Sequence, residues 1–258
     1  MVEYNLMVAP NGARRSKGDH AVLPVTLDDI VETAAACHAV GAGALHLHVR
    51  DGAGRHSLDT GRYREALQAL GQVVPRMAVQ ITTESAGLFA PEDQLRCLEQ
   101  LQPKAASVSV REMAREPDVA ARAYAICAEV GTQVQHILYG ASCLEQLKTW
   151  CKSGTVPSGM RDAIFVLGQY APPVLARPDH LTDFLPAAAD LDLNWTVCAF
   201  GRNERACLLA AIAAGGDVRI GFENNIETPD GTLLQDNAAS VAALVTAAKA
   251  AGHSLKEG

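Results

Sequence analysis

Two histidines one residue apart, His46 and His48, are the side chains of this sequence best placed to do chemistry. They lie in the run Ala44-Leu45-His46-Leu47-His48-Val49-Arg50-Asp51. On a strand, side chains alternate between faces, so the two imidazoles share one face while Leu45, Leu47 and Val49 share the other. Such a pair either binds a cation between its ring nitrogens or consists of core histidines with ordinary hydrogen bonds, and the pair alone leaves both readings open. A third group bears on the choice. In Asp217-Val218-Arg219-Ile220-Gly221-Phe222-Glu223 the apolar residues again alternate, which puts Arg219, Gly221 and Glu223 on the opposite face, with Glu223 at the C-terminal end. Two histidines and a carboxylate hold a divalent ion with positions left open, as a catalytic site requires. Glu223 could instead be a rim carboxylate paired with a surface cation. An inward Arg219 argues against that, because a guanidinium in a barrel lumen needs an anion. The same ligand set also suits a hydrolase or a non-haem iron oxygenase.

These side chains converge only if the two strands are neighbours in one closed structure. Short apolar runs recur at Tyr4–Ala9, Ala44–Val49, Met77–Thr82, Ala105–Val110, Gln133–Leu138, Ala163–Leu167, Asn194–Ala199 and Asp217–Phe222. Between and after them lie stretches of helical periodicity at Leu27–Val40, Gly61–Gln72, Pro91–Leu101, Pro117–Val130, Ala141–Cys151, Pro178–Ala189, Arg202–Ala214 and Asp236–Ala251. Thr26 before Asp28 and Asp29, and Pro91 before Glu92 and Asp93, are helix starts, while Gly41, Gly71, Gly131 and Gly215 are read as helix stops. Eight β-then-α units without a linker predict an α/β fold, a (β/α)8 TIM barrel formed as a single domain over residues 1–258. A doubly wound sheet is the alternative. It usually carries a glycine-rich phosphate loop after the first strand, where this chain has Pro10-Asn11-Gly12-Ala13.

The composition, 48% hydrophobic and 20% charged over 258 residues, is that of a globular chain able to bury a core without staples. A formal net charge of −7 argues against a general nucleic-acid or anionic-membrane binder. The 7 cysteines are scattered, odd in number and free of any CxxC, so they read as reduced thiols. Neither a signal peptide nor a membrane span is evident, and a cytoplasmic protein is expected.

Taken together, several segments resemble the β-keto acid cleavage enzyme family, also called the 3-keto-5-aminohexanoate cleavage enzyme family. They are Asn11-Gly12-Ala13, Leu23-Pro24-Val25-Thr26, Ala42-Gly43-Ala44 with His46-Leu47-His48-Val49-Arg50-Asp51, Phe165-Val166-Leu167-Gly168, Gly201-Arg202, Gly215 through Glu223, and Asp236-Asn237-Ala238. The resemblance runs over nearly the whole chain. It implies a retro-Claisen-type reaction in which a β-keto acid and acetyl-CoA give acetoacetate and a new CoA thioester. It also implies one Zn2+ per subunit, held by His46, His48 and Glu223 and polarising the keto carbonyl, and a homo-oligomer, a dimer or tetramer. Arg219 is then expected beside the substrate, with Asn11, Arg14, Thr82, Ser107 and Ser109 contributing to substrate binding.

Two positions depart from the family pattern. The usual Glu-Asp-Asn at the end of the last strand is Glu223-Asn224-Asn225 here, and an amide can hydrogen-bond Arg219 but cannot take a proton. A glutamate in the first loop, matched to an ammonium-tailed substrate, is replaced by Arg14, followed by Arg15 and Lys17. Arg14 favours a keto acid with a neutral or anionic tail; the basic cluster could otherwise be a solvated loop or a docking patch for CoA phosphates. Asn224 also raises the possibility of a degenerate member that keeps metal and keto acid but does not turn over. His20, His56 and His136 lack partners at ligand spacing, and Gln169-Tyr170-Ala171-Pro172-Pro173 is expected to shape the pocket.

Overall fold

The computed structural model describes residues 1–170 and 172–256, so Ala171 of the expected pocket-shaping run lies outside the described residues. Eight parallel strands close into a barrel in chain order: β1 Leu6–Val8, β2 Ala44–Leu47, β3 Ala78–Thr82, β4 Ala105–Ser109, β5 Gln133–Leu138, β6 Asp162–Leu167, β7 Asn194–Ala199 and β8 Asp217–Ile220. Pairing of β8 with β1, Arg219 opposite Met7, completes the cylinder and brings the histidine strand within one strand of Glu223. This is the expected (β/α)8 barrel.

The apolar set of each strand faces the helices. Leu45, Leu47, Val218 and Ile220 are all buried. They pack beneath α1 Leu27–Ala39, α2 Thr60–Val73, α3 Pro91–Leu101, α4 Pro117–Val130, α5 Ala141–Ser153, α6 Leu185–Asp190, α7 Glu204–Ala213 and α8 Asn237–Ala250. Thr26 caps α1 as expected: its hydroxyl accepts from the Asp29 amide at 3.1 Å, and Asp29 accepts from the Thr26 amide.

Four local departures have identifiable causes. Gly71 does not stop α2, which runs through it to Val73 and ends before Pro75, a residue with no amide hydrogen to continue the ladder. The expected helix over Pro178–Ala189 divides into a 3-10 turn, Pro178–Asp183, and α6, because Pro186 cannot donate back across the junction. Strand β2 stops at Leu47. Val49–Arg50 then pairs antiparallel with His56–Ser57. Strand β8 stops at Ile220, so Glu223 is presented by a turn and not by the strand itself. No helix among the described residues is long and apolar enough to cross a membrane.

Candidate active site

His46, His48 and Glu223 meet at the C-terminal end of the barrel, with one donor atom from each lying within 4.8 Å of the others. The Nε2 atoms of His46 and His48 are 3.6 and 3.5 Å from the same carboxylate oxygen, Oε2 of Glu223. Donors ~2.1 Å from a tetrahedral ion sit about 3.4 Å apart, so these separations fit one small divalent cation. The hydrogen bonding supports the same conclusion. Both ring nitrogens of His48 and Oε2 of Glu223 are buried with no hydrogen-bond partner among the described residues. Burial, followed by the nearby Arg219 charge, holds His46 well below the usual imidazole range, so it is neutral and does not form an ion pair. Two imidazole lone pairs and a carboxylate aimed at one point repel each other unless a cation lies between them.

A line of amides fixes which nitrogen His46 presents. Its Nδ1 lies 2.8 Å from Gln80 Oε1, Gln80 Nε2 donates to Gln135 Oε1 at 3.1 Å, and Gln135 Nε2 donates to Thr196 Oγ1 at 3.2 Å. This direction leaves Gln80 Oε1 as acceptor, so Nδ1 carries the proton and Nε2 keeps its lone pair for a metal. Gln80 and Gln135 were not singled out by the sequence, although their inward parity on β3 and β5 is the same signal that exposed His46.

Glu223 is positioned by two glycines and an asparagine. Gly12, at φ +59°, lies so near that a Cβ there would fall 2.5 Å from Glu223 Cγ. Gly221, at φ +141°, packs its α-carbon against the Ala9 backbone where no side chain fits. Asn237 accepts from the Phe222 amide at 2.9 Å and donates to the Pro10 carbonyl at 3.1 Å, tying the β8 turn to the loop after β1. That loop is clamped in turn by buried Arg50, which donates to the carbonyls of Asn11, Gly12, Arg15 and Gly54. Arg50 of the HxHxRD run therefore organises the loop and does not reach substrate space.

Arg219 donates to Glu223 Oε1 at 3.1 Å and to Asn224 Oδ1 at 3.4 Å. Burial alone would raise the Glu223 pKa, but the Arg219 charge and the two adjoining imidazoles together outweigh it and hold the carboxyl well below the usual carboxylate range. Burial alone would lower the Arg219 pKa, but Glu223, with Cys198, Glu84 and Tyr139, raises it, so the guanidinium stays charged. Behind the turn, buried Glu204 accepts from the Gly221 amide at 3.2 Å and from Asn225 at 3.4 Å, contacts that only partly offset its desolvation and leave its pKa at about 8. The folded state thus binds this proton more tightly than the unfolded chain, and the associated stability is full below the unfolded value and fades as pH rises to about 8. The unfolding free energy of Glu204→Gln relative to the native chain is therefore expected to change by about 1 kcal/mol per pH unit between those limits. Denaturant melts across that range would show it; a pH-independent difference would mean that Glu204 is ionised throughout.

The cavity beside these three residues is lined by Arg14, Glu84, Arg111, Tyr139, Tyr170 and Arg219, among others, with Glu223 in its wall. The structure divides the basic cluster. Arg15 lies over the Tyr170 ring and bonds the Phe222 carbonyl, and Lys17 pairs with Asp29 at 2.9 Å, which leaves Arg14 exposed at the cavity. Thr82 and Ser107 are adjacent across β3 and β4, with their hydroxyls 3.1 Å apart. Ser109 Oγ and Asn11 Oδ1 are buried without hydrogen-bond partners among the described residues, and the Asn11 amide braces the Pro24 and His48 carbonyls. None of these four lines the cavity. His20, His56 and His136 hydrogen-bond the carbonyls of Leu234, Glu84 and Met160, and all three are buried. Sequence reading missed Glu84, Tyr139 and Arg111; an acid two residues beyond a barrel strand was the available signal for the first.

A family profile described as beta-keto acid cleavage enzyme matches residues 4–257. The chain belongs to the β-keto acid cleavage enzyme family. A 3-keto-5-aminohexanoate cleavage enzyme from Fusobacterium nucleatum is 25% identical over 252 residues, covering 95% of this chain and 90% of that protein. A 3-oxoadipate:acetyl-CoA acetyltransferase from Cupriavidus necator is 26% identical over 254 residues, covering 92% and 85%. Among solved structures, a ternary complex of ObcA with a C4-CoA adduct and oxalate superposes with a TM-score of 0.70 at 15% identity, covering 91% of this chain and 65% of that one. At that identity the superposition speaks to the fold alone. Of the two residues that depart from the expected family pattern, Asn224 lies against Arg219 and Arg14 lines the cavity.

Proposed function

We propose that this chain is a zinc-dependent transferase that reacts a β-keto acid with acetyl-CoA to give acetoacetate and a new CoA thioester. The observation that carries the reading is the unpartnered convergence of His48 Nε2 and Glu223 Oε2 beside His46 in a chain matched end to end by the family profile. His46, His48 and Glu223 would hold the ion, which when bound would polarise the substrate's keto oxygen. Arg219, kept charged beside the cavity, stabilises enolate and alkoxide charge as it develops and orients the substrate carboxylate. Asn224 holds the Arg219 side chain, and the spare acceptor of Asn11 and the free hydroxyl of Ser109 serve binding together with Thr82 and Ser107. The protein acts as a single-domain, cytoplasmic homo-oligomer, a dimer or tetramer.

Arg14 supports a substrate with a neutral or anionic tail, since an exposed guanidinium at the cavity repels an ammonium and attracts a carboxylate. The relative named for 3-oxoadipate, a dicarboxylic keto acid, points the same way. The test is a panel of keto acids incubated with acetyl-CoA and zinc and read out as acetoacetate; no acetoacetate together with bound iron would reject the function. On that panel Arg14→Glu is expected to lower kcat/KM for dicarboxylic keto acids ~10- to 100-fold and to improve amino-tailed ones. Faster turnover of amino-tailed than dicarboxylic substrates by the native chain would reject the tail assignment. A second reading, a member that binds metal and keto acid without turnover, is favoured by Asn224; tight binding with no thioester formed would establish it.

A further inference from the structure

The proposed reaction needs a group that can take and return a proton at carbon, and the side chains so far assigned cannot do so. Arg219 stays protonated, Asn224 is an amide, and His46, His48 and Glu223 are committed as ligands. We propose that Glu84 is the catalytic acid–base of this site, taking the C2 proton of the β-keto acid and returning it to acetoacetate. The inference rests on the function proposed above.

Glu84 follows β3 by two residues, and its backbone is held on both sides. Its amide donates to Thr82 Oγ1 at 3.1 Å, and its carbonyl is bonded by His56 Nε2 at 2.8 Å. The next residue is fixed by buried Glu112, which accepts from both the Ser85 amide and the Ser85 hydroxyl at 2.8 Å. Its side chain lines the same cavity as Arg219 and Glu223 and is, apart from Glu223, the only carboxylate in that lining among the described residues. One oxygen accepts from the Tyr139 hydroxyl, whose ring lies under the Arg111 guanidinium at 3.3 Å, which leaves the other oxygen without a hydrogen bond among the described residues. Such a carboxylate is anchored at one oxygen and free to accept at the second. Burial, and then the Glu223 charge, raise its pKa, which strengthens it as a base.

The step balances without a further reactant. The C2–H electron pair becomes the enolate as the proton passes to the Glu84 carboxylate. The enolate carbon attacks the acetyl-CoA carbonyl and expels CoA thiolate, which adds to the original keto carbon. Cleavage of the C2–keto bond then releases the new thioester and the acetoacetate enolate, which regains the proton at C2 from the Glu84 carboxylic acid.

Acetoacetate is the probe, since the proposal makes it common to every substrate. With zinc-loaded protein in deuterated buffer and no acetyl-CoA, NMR follows hydrogen–deuterium exchange at C2 above the buffer rate, and calorimetry follows acetoacetate binding. Glu84→Gln is expected to keep its zinc and to bind acetoacetate within ~threefold of the native chain, while exchange falls at least ~100-fold. Exchange within ~tenfold of native, or loss of binding with exchange per bound molecule intact, would overturn the assignment; the second result would make Glu84 a substrate anchor. If the native chain forms acetoacetate from a keto acid while Glu84→Gln remains active, only Glu84 is misassigned. If the native chain neither exchanges nor forms acetoacetate, the function itself fails and the assignment with it.

Discussion

His48→Ala is expected to bind no zinc above trace and to lose at least ~1,000-fold in acetoacetate formation, because a site reduced to one imidazole and one carboxylate can neither retain the ion nor supply its electrophile. The variant should nevertheless fold. Both ring nitrogens of His48 lack hydrogen-bond partners among the described residues, so no protein–protein hydrogen bond is lost with the imidazole, and its removal relieves repulsion between lone pairs in metal-free protein. In chelator-treated samples the variant should melt at or above the native temperature, whereas in zinc the native chain should gain and the variant should not. Metal analysis with paired thermal melts tests this. A variant that keeps its zinc, or that loses stability equally with and without metal, would show His48 to be a structural residue.

Arg219→Met should act in two ways. Turnover is expected to fall ~100- to 1,000-fold, the usual effect of losing one fixed positive group at a developing oxyanion. Metal-free protein should also lose about 3–5 kcal/mol of stability, because Glu223, 6% exposed, would keep its charge with its main partner gone. Zinc should restore most of the stability and none of the turnover, since the ion neutralises the carboxylate but does not replace the guanidinium at the cavity. Denaturant unfolding with and without zinc, beside steady-state kinetics, separates the two effects. Turnover within tenfold of native would remove Arg219 from the reaction.

The barrel and the convergence of His46, His48 and Glu223 could be read from the sequence for the same reason: both are written in the period of two. Alternation of Leu45, Leu47 and Val49 with the two histidines, and of Val218, Ile220 and Phe222 with Arg219 and Glu223, is enough to name the inward face. What alternation cannot show is where a strand yields to a turn. Gly221, which has no room for a side chain against Ala9, ends β8 early and turns Glu223 onto the histidines. Nor does it reveal contacts between loops. The Asn237 bridge, the Arg50 clamp and the withdrawal of Arg15 and Lys17 into local pairs all join residues from different connections. Glycine within a helix and glycine after one look alike in sequence, and at Gly71 only the later Pro75 tells them apart. Glu84 escaped notice because it belongs to no strand pattern and becomes conspicuous only beside Tyr139.

Everything proposed for catalysis depends on one small cation shared by residues at the C-terminal ends of β2 and β8. X-ray absorption of the zinc-loaded protein, set beside the metal content of Glu223→Ala, addresses it most directly. The expected result is one zinc per chain, surrounded by two imidazole nitrogens and oxygen donors at ~2.0–2.2 Å and lost when Glu223 is removed. Sulfur in the coordination shell, or zinc retained undiminished by Glu223→Ala, would place the metal elsewhere and leave the convergence of His46, His48 and Glu223 without a catalytic role.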